Sequence, residues 1–308
     1  MNNDQRLDLA VQAVVRAAEV CEAVRKQLVA GDKHDKGDRS PVTVADFASQ
    51  AVIAQVLAEA ELPIVAEESV AELDEASEDL RTKAAEASGM SADDLRKHVA
   101  MGGGEPTGTY WVLDPIDGTK GFLRGGQYAI ALALIENGRP TMGLLGCPRW
   151  DIGRLFAAAE GDAWTASLSR AESHQPITAA GTNETIRLTE SVESGHADHD
   201  LSTRLAEAIG VTEEPLRMDS QAKYAAVASG EADVYLRVSP GKTYREKVWD
   251  HAAGVAVVEA AGGRVTDATG KPLDFTASRK LDNNTGIVAT GGPQSLHDRV
   301  VAALKSSM

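Results

Sequence analysis

The feature that most constrains this chain is a short apolar run, residues 110–113 (YWVL), that stops on two acids, Asp114 and Asp117. A brief apolar stretch bounded by turn residues reads as a buried strand. Asp114, Pro115, Ile116 and Asp117, followed by Gly118 and Thr119, then form a tight turn that aims two carboxylates and a backbone carbonyl at one point. Like charges held that close repel each other unless a cation lies between them. The chain must bury the strand and yet open its end onto a place where a cation can sit.

Three further acidic positions share this setting, each at a strand end or a helix start: Asp46, the pair Glu67–Glu68, and Asp250. Strand ends and helix N-termini are where α/β enzymes gather site residues. Each also has a bland reading. Asp46 fits the last position of a capping box, Glu67–Glu68 a solvated pair after a strand, and Asp250 the N-cap of an apolar helix. Taken together, four or five carboxylates suit hard divalent cations, which take oxygen ligands, and Mg²⁺ keeps part of its water shell. In a two-metal phosphoryl-transfer site, one ion activates water and the other steadies the leaving oxygen. Thr119, next to the Asp pair, is placed to hydrogen-bond such a water.

Helical spacing of Leu7, Val11, Val14, Ala18, Cys21 and Leu28 predicts an amphipathic helix over residues 5–30. Thr43 to Asp46 reads as the capping box that opens a second helix. Residues 63–66 read as a short strand. Residues 69–97 are acidic and Ala-rich, and are expected to be an inserted, exposed helical segment, partly mobile beside the substrate entrance. Residues 101–108 are expected to be a flexible Gly-rich link. Two hairpins follow. The first turns through Asn137–Gly138 and the second around Gly161. Beyond residue 175, helices alternate with strands, and the apolar helix over 250–261 ends at Gly262–Gly263. The expected organisation is an α+β subdomain, residues 1–175, carrying most metal ligands, and an α/β subdomain, residues 176–308, completing the site.

Bulk properties narrow the function. A net charge of −15 argues against a nucleic-acid or anionic-membrane partner, which calls for a basic face. A small anionic substrate remains compatible if metal ions carry it. Two cysteines, Cys21 and Cys147, make no disulfide framework, and Cys21 falls on an apolar helix face as a buried free thiol. No apolar run reaches the ~18–20 residues of a membrane span, and the polar N-terminus is unlike a signal peptide. The expected compartment is the cytoplasm. With aromatics at 4%, the core must be built from Ala, Val, Leu and Ile.

Three motifs in this order, residues 66–69 (AEES), 114–119 (DPIDGT) and 249–254 (WDHAAG), resemble the signatures of the inositol-monophosphatase-like, lithium-sensitive, Mg²⁺-dependent phosphatases. The resemblance spans nearly the whole chain, with Ala66 where the family usually has Gly. It implies an alternating α-β-α-β-α layered sandwich with the site between two subdomains, and two or three Mg²⁺ ions. Glu67, Asp114, Asp117, the Ile116 carbonyl and Asp250 would be metal ligands, with Glu68 supporting a weaker ion. Thr119 with Asp46 would orient and deprotonate the water. Residues 117–135, 194–200 (SGHADHD), 219–237 and 244–254 resemble the 3'(2'),5'-bisphosphate nucleotidase branch. That branch implies a phosphatase removing the 3'-phosphate of 3'-phosphoadenosine 5'-phosphate in sulfur metabolism, with 3'-phosphoadenylyl sulfate a candidate second substrate. A nucleotide with two phosphates needs a second anion site: Ser220, Lys223 and Arg237 are its candidates, with Gly195 and His196 contacting the nucleotide. The rivals are an inositol mono- or polyphosphate phosphatase and a non-catalytic nucleotide sensor.

Overall fold

The computed structural model describes residues 1–30, 40–179, 185–192, 205–211, 213–238 and 244–307. Its first sheet has seven strands in sequence order: β1 (Ile64–Ala66), β2 (Thr109–Asp117), β3 (Ala129–Glu136), β4 (Arg139–Cys147), β5 (Arg154–Ala159), β6 (Asp162–Ser167) and β7 (Arg170–Pro176). The pair β1–β2 is parallel and every other neighbour is antiparallel.

Both faces of this sheet are buried, and the strand period of two divides its residues between two cores. On β2, Trp111 and Leu113 join one core while Tyr110 and Val112 join the other. On β3, Ile130, Leu132 and Leu134 face the first core, and Ala129, Ala131 and Ala133 the second. Helices α1 (Asn3–Ala30) and α2 (Ser40–Leu57) cover the large-residue face. The small-residue face admits two buried helices, α7 (Ala222–Ala228) and α8 (Ala252–Ala260), at close range. Where α8 meets α7, a Cβ on Gly254 would lie 2.3 Å from the Tyr224 ring.

Beyond α7 and α8 lies a mixed five-stranded sheet built from β8 (Leu188–Glu190), β9 (Leu216–Arg217), β10 (Val234–Arg237), β11 (Arg264–Thr266) and β12 (Ile287–Thr290), in the order β11-β12-β10-β8-β9. The last helix, α9 (Gln294–Ser307), covers its outer face through a third core that includes Leu188, Val234, Val288 and Val300. The layers therefore alternate α-β-α-β-α, the architecture expected from the sequence motifs. Among the described residues, no helix is long and apolar enough to cross a membrane.

Three expectations are corrected. The acidic stretch is not a loose exposed flank. It folds as α3 (Val70–Glu75), α4 (Glu78–Ser88) and α5 (Ala92–Ala100), each started by a serine N-cap, Ser69, Ser77 and Ser91. Leu73, Ala84, Leu95 and Val99 are buried in the core shared with α2, so the packing holds the segment in place. The Gly-rich link is also pinned: Gly104 N–H donates to Ile64 O at 2.8 Å and Ala66 N–H to Gly102 O at 2.9 Å, so it runs along the open side of β1. Finally, α2 already begins at Ser40, so Thr43 and Asp46 lie inside the helix and form no capping box. β7 had no apolar signal because it is an exposed edge strand.

Candidate active site

The parallel register of β1 on β2 pairs Ala66 with Leu113. Glu67, just past that pair, donates its N–H to Leu113 O at 3.1 Å, which brings it alongside Asp114. Further along β2 the pairing shifts from Asp114↔Ala131 to Asp117↔Ala129, so Pro115 and Ile116 together face the one intervening residue of β3. This bulge takes Ile116 and its carbonyl out of regular pairing and turns Asp117 towards α7. Asp117 Oδ2 accepts from the Gln221 N–H at 2.6 Å, while Asp114 Oδ1 accepts from the Ile116 N–H at 3.1 Å.

Asp46 comes from the buried interior of α2, and Asp250 from the turn just before α8, whose N-cap is His251 rather than Asp250. The six acids act on one another electrostatically. Burial first, then Glu67, Asp117, Asp250 and Asp46, pushes the Asp114 carboxyl well above the usual range. Burial, then Glu68 and Glu67, does the same to Asp46. Burial and the Glu68 charge lift Glu67 to about 7, and burial with Glu72 lifts Glu68 to about 7. Asp250 also rises to about 7 through burial, although His251 and Arg237 oppose the shift. A set of mutually repelling oxygen donors, with Asp46 and Asp114 buried and the others partly open to solvent, is poorly stabilised by itself, and it matches the ligand preference of a hard divalent cation.

Three side chains that the motif reading passed over hold the cluster in shape. Gln50 Oε1 accepts from the Glu68 N–H at 3.1 Å, and its Nε2 donates to the Glu68 carbonyl at 2.8 Å. Gln221 Nε2 donates to Trp249 O at 2.8 Å and its Oε1 accepts from the Gly254 N–H at 3.1 Å, spanning Asp250. Arg279 donates to the Ala66 carbonyl, one residue before Glu67. Gln221 stands inside a stretch that carries the branch resemblance, so its motif was its only signal. Gln50 and Arg279 have none in the sequence.

Thr119 opens α6 (Thr119–Arg124), which packs against α2, the helix carrying Asp46. The turn before it is tight: Gly118 has φ 90°, and a Cβ there would lie 2.9 Å from the Ser220 Cβ. A cavity of about 270 Å³ begins here, bounded by Asp117, Thr119, Ser220, Lys223, Arg237 and Asp250 among others. Lys223, 4% exposed, donates to Ser220 O at 2.8 Å and sits 5.4 Å from the Tyr235 ring centroid. Burial pulls its ammonium down to about 8, although Asp117 opposes the shift. Arg237 pairs with Glu246 at 2.9 Å and reaches towards Asp250 at 3.5 Å. Gly195 and His196 lie outside the described residues.

Among the described residues, the tightest gathering of possible metal-ligand atoms is Glu246, Asp250 and His251, within 4.8 Å. There Glu246 already accepts from Arg237 and His251, which leaves that trio an ion-pair network to which Asp250 is the link. Cys21 and Cys147 are free and buried, and burial pushes both thiols up, away from nucleophilic use.

The sequence matches the inositol monophosphatase family over residues 2–308. Two curated relatives are 3'(2'),5'-bisphosphate nucleotidases. The one from Oryza sativa is 40% identical over 92% of this chain and 89% of its own length. The one from Schizosaccharomyces pombe is 38% identical over 94% of this chain and 92% of its own. Among solved structures, an inositol monophosphatase from Anabaena superposes with a TM-score of 0.67 at 24% identity, covering 99% of this chain and 97% of that one. CysQ from Bacteroides thetaiotaomicron, a bacterial member of the inositol monophosphatase family, gives a TM-score of 0.66 at 22% identity, covering 94% and 98%. These two structural likenesses establish the shared fold.

Proposed function

Because this chain belongs to the inositol monophosphatase family, we propose that it is a Mg²⁺-dependent phosphatase that removes the 3'-phosphate of 3'-phosphoadenosine 5'-phosphate, giving AMP and phosphate. The relatives at 40% and 38% identity support the nucleotide substrate. The observation that supports the reading is the shared cavity: Lys223 and Arg237 line the same small space as the carboxylates Asp117 and Asp250. A substrate with two phosphates needs both halves, one of cations and one of metal-binding acids.

In this reading Glu67, Asp114, Asp117, Asp250 and the Ile116 carbonyl would hold Mg²⁺, two or three ions in all, with Glu68 supporting the most weakly bound. Bound Mg²⁺ supplies positive charge against the developing negative charge and makes water more acidic. Thr119 orients the attacking water and Asp46 takes its proton. The water oxygen bonds to the 3'-phosphorus as the bond to the ribose 3'-oxygen breaks in line, and that oxygen takes a proton from solvent water to become the 3'-hydroxyl. Ser220, Lys223 and Arg237 hold the 5'-phosphate, with Arg237 as the planar fork and Lys223 as the point charge. The buried thiols take no part, consistent with direct attack by water.

The test is phosphate release with Mg²⁺ from 3'-phosphoadenosine 5'-phosphate and from inositol 1-phosphate, side by side, with the nucleotide product identified. A strong preference for the first with 5'-AMP as product is the expected result, and 3'-phosphoadenylyl sulfate is then the next substrate to compare. Preference for inositol phosphate would keep the metal cluster and remove the nucleotide pocket. Release from neither would favour a binding protein.

A further inference from the structure

Glu246 is a carboxylate paired with Arg237, a residue that lines the substrate cavity, and the reaction above leaves it without a task. We propose that it is a positioning residue. It grips Arg237 by one edge, which keeps the rest of the guanidinium directed at the substrate's second phosphate and off the Asp250 carboxylate. The inference rests on the bisphosphate reading and adds to it the residue that keeps the two halves of the cavity apart.

The geometry is a chain of contacts running from one pocket cation to the other. Glu246 Oε2 accepts from Arg237 Nε at 2.9 Å and from His251 Nε2 at 3.2 Å. His251 is fully buried, and with Nε2 donating, its Nδ1 accepts from the Tyr224 hydroxyl at 2.8 Å. Tyr224 meets Tyr235 edge to face, with centroids 4.9 Å apart at 78°. The Lys223 ammonium rests 5.4 Å from the Tyr235 centroid. Each side chain in this series therefore has a neighbour that limits its movement, and Arg237 is held both by the Glu246 carboxylate and by a hydrogen bond with the Tyr235 side chain.

The distances show what the link prevents. Arg237 Nη2 lies 3.5 Å from Asp250 Oδ2, longer than a charge-assisted hydrogen bond of about 2.7–2.9 Å. Glu246 is the nearer carboxylate and occupies the Nε edge. Without it, the closest carboxylate is Asp250, and a guanidinium seeks a bidentate partner. Such a pair would take the fork from the substrate and a ligand from the metal cluster at once.

Calorimetric binding of 5'-AMP in EDTA reads the second anion site alone, without turnover. We expect Glu246→Ala to weaken 5'-AMP by about tenfold or more, the worth of a charge-assisted hydrogen bond. Glu246→Gln keeps an oxygen that can accept from Arg237 Nε and should recover part of the affinity. A purely structural role would lower the melting temperature of both variants without this graded loss. If Glu246→Ala does not fold, Glu246→Gln decides alone by a several-fold loss. Tight 5'-AMP binding by the wild type with unchanged affinity in the folded variants overturns the proposal and spares the bisphosphate reading. Failure of the wild type to bind 5'-AMP overturns both.

Discussion

Asp114 and Arg237 stand at the two ends of the site's chemistry, and each makes a sharp prediction. Asp114 is 2% exposed and surrounded by acids, so its charge is a burden to the fold unless a cation uses it. Asp114→Asn keeps its size and removes that charge. Turnover should fall by several orders of magnitude while the protein stays folded, checked by circular dichroism beside the phosphate assay; retained turnover would remove Asp114 from the metal cluster. Arg237→Ala should raise KM for a bisphosphate nucleotide far more than for a nucleoside 3'-monophosphate, because only the former reaches the second anion site. Equal losses would make Arg237 a structural residue. The two acids of the opening motif were legible because two carboxylates around a Pro-Ile turn have few bland explanations. Gln50, Gln221 and Arg279 were not, because what they do depends on backbone groups that only the fold brings to them.

At the scale of elements, the docking of α9 onto the second sheet offers a pH-sensitive contact. His297 on α9 is 3% exposed and bonded at both ring nitrogens, to Thr266 and Thr290, each at 2.9 Å. Thr266 Oγ1 already donates to Asp267 O, so it accepts from His297 Nε2, and Nδ1 accepts from Thr290: the neutral ring fits. Burial and then Arg264 pull its pKa down to about 4, with Asp298 opposing. An unfolded histidine takes its proton near 6.5. Between about 4 and 6.5 the unfolded chain therefore binds more protons, and this contribution is complete above 6.5 and is lost as the pH falls. The melting temperature should drop less between pH 7 and pH 5 in His297→Gln than in the wild type. Parallel curves would mean that the ring is not held neutral. The helices and strands with clear apolar spacing, such as α1, β2, β3 and α8, were readable in advance. The helical character of residues 70–100 was legible, but their packing was misjudged because each helix buries at most three side chains. Their composition looks solvated, and their order comes from serine caps and from packing on α2, which periodicity alone does not reveal.

At the scale of the whole molecule, the layered fold was predictable only through the motifs, since periodicity alone cannot say which sheet a helix covers. What the motifs left open is how the fold holds the cluster together. The acids come from α2, the ends of β1 and β2, and the turn before α8, all tied by Gln50, Gln221 and the β2 bulge. Such a site exists only in the native state, so a cation that binds it stabilises the fold by mass action, about 2.7 kcal/mol per site at a hundredfold excess over Kd. Mg²⁺ should then raise the melting temperature by roughly 5 °C. A chain of net charge −15 attracts divalent cations everywhere, and some rise would follow from that alone. Asp114→Asn separates the two contributions. It changes the net charge by one unit and leaves the diffuse attraction almost intact, yet removes a central ligand. If Mg²⁺ stabilises the wild type and hardly the variant, the rise belongs to the cluster. If both rise alike, the cations are held by the surface, and the buried acids need a different partner.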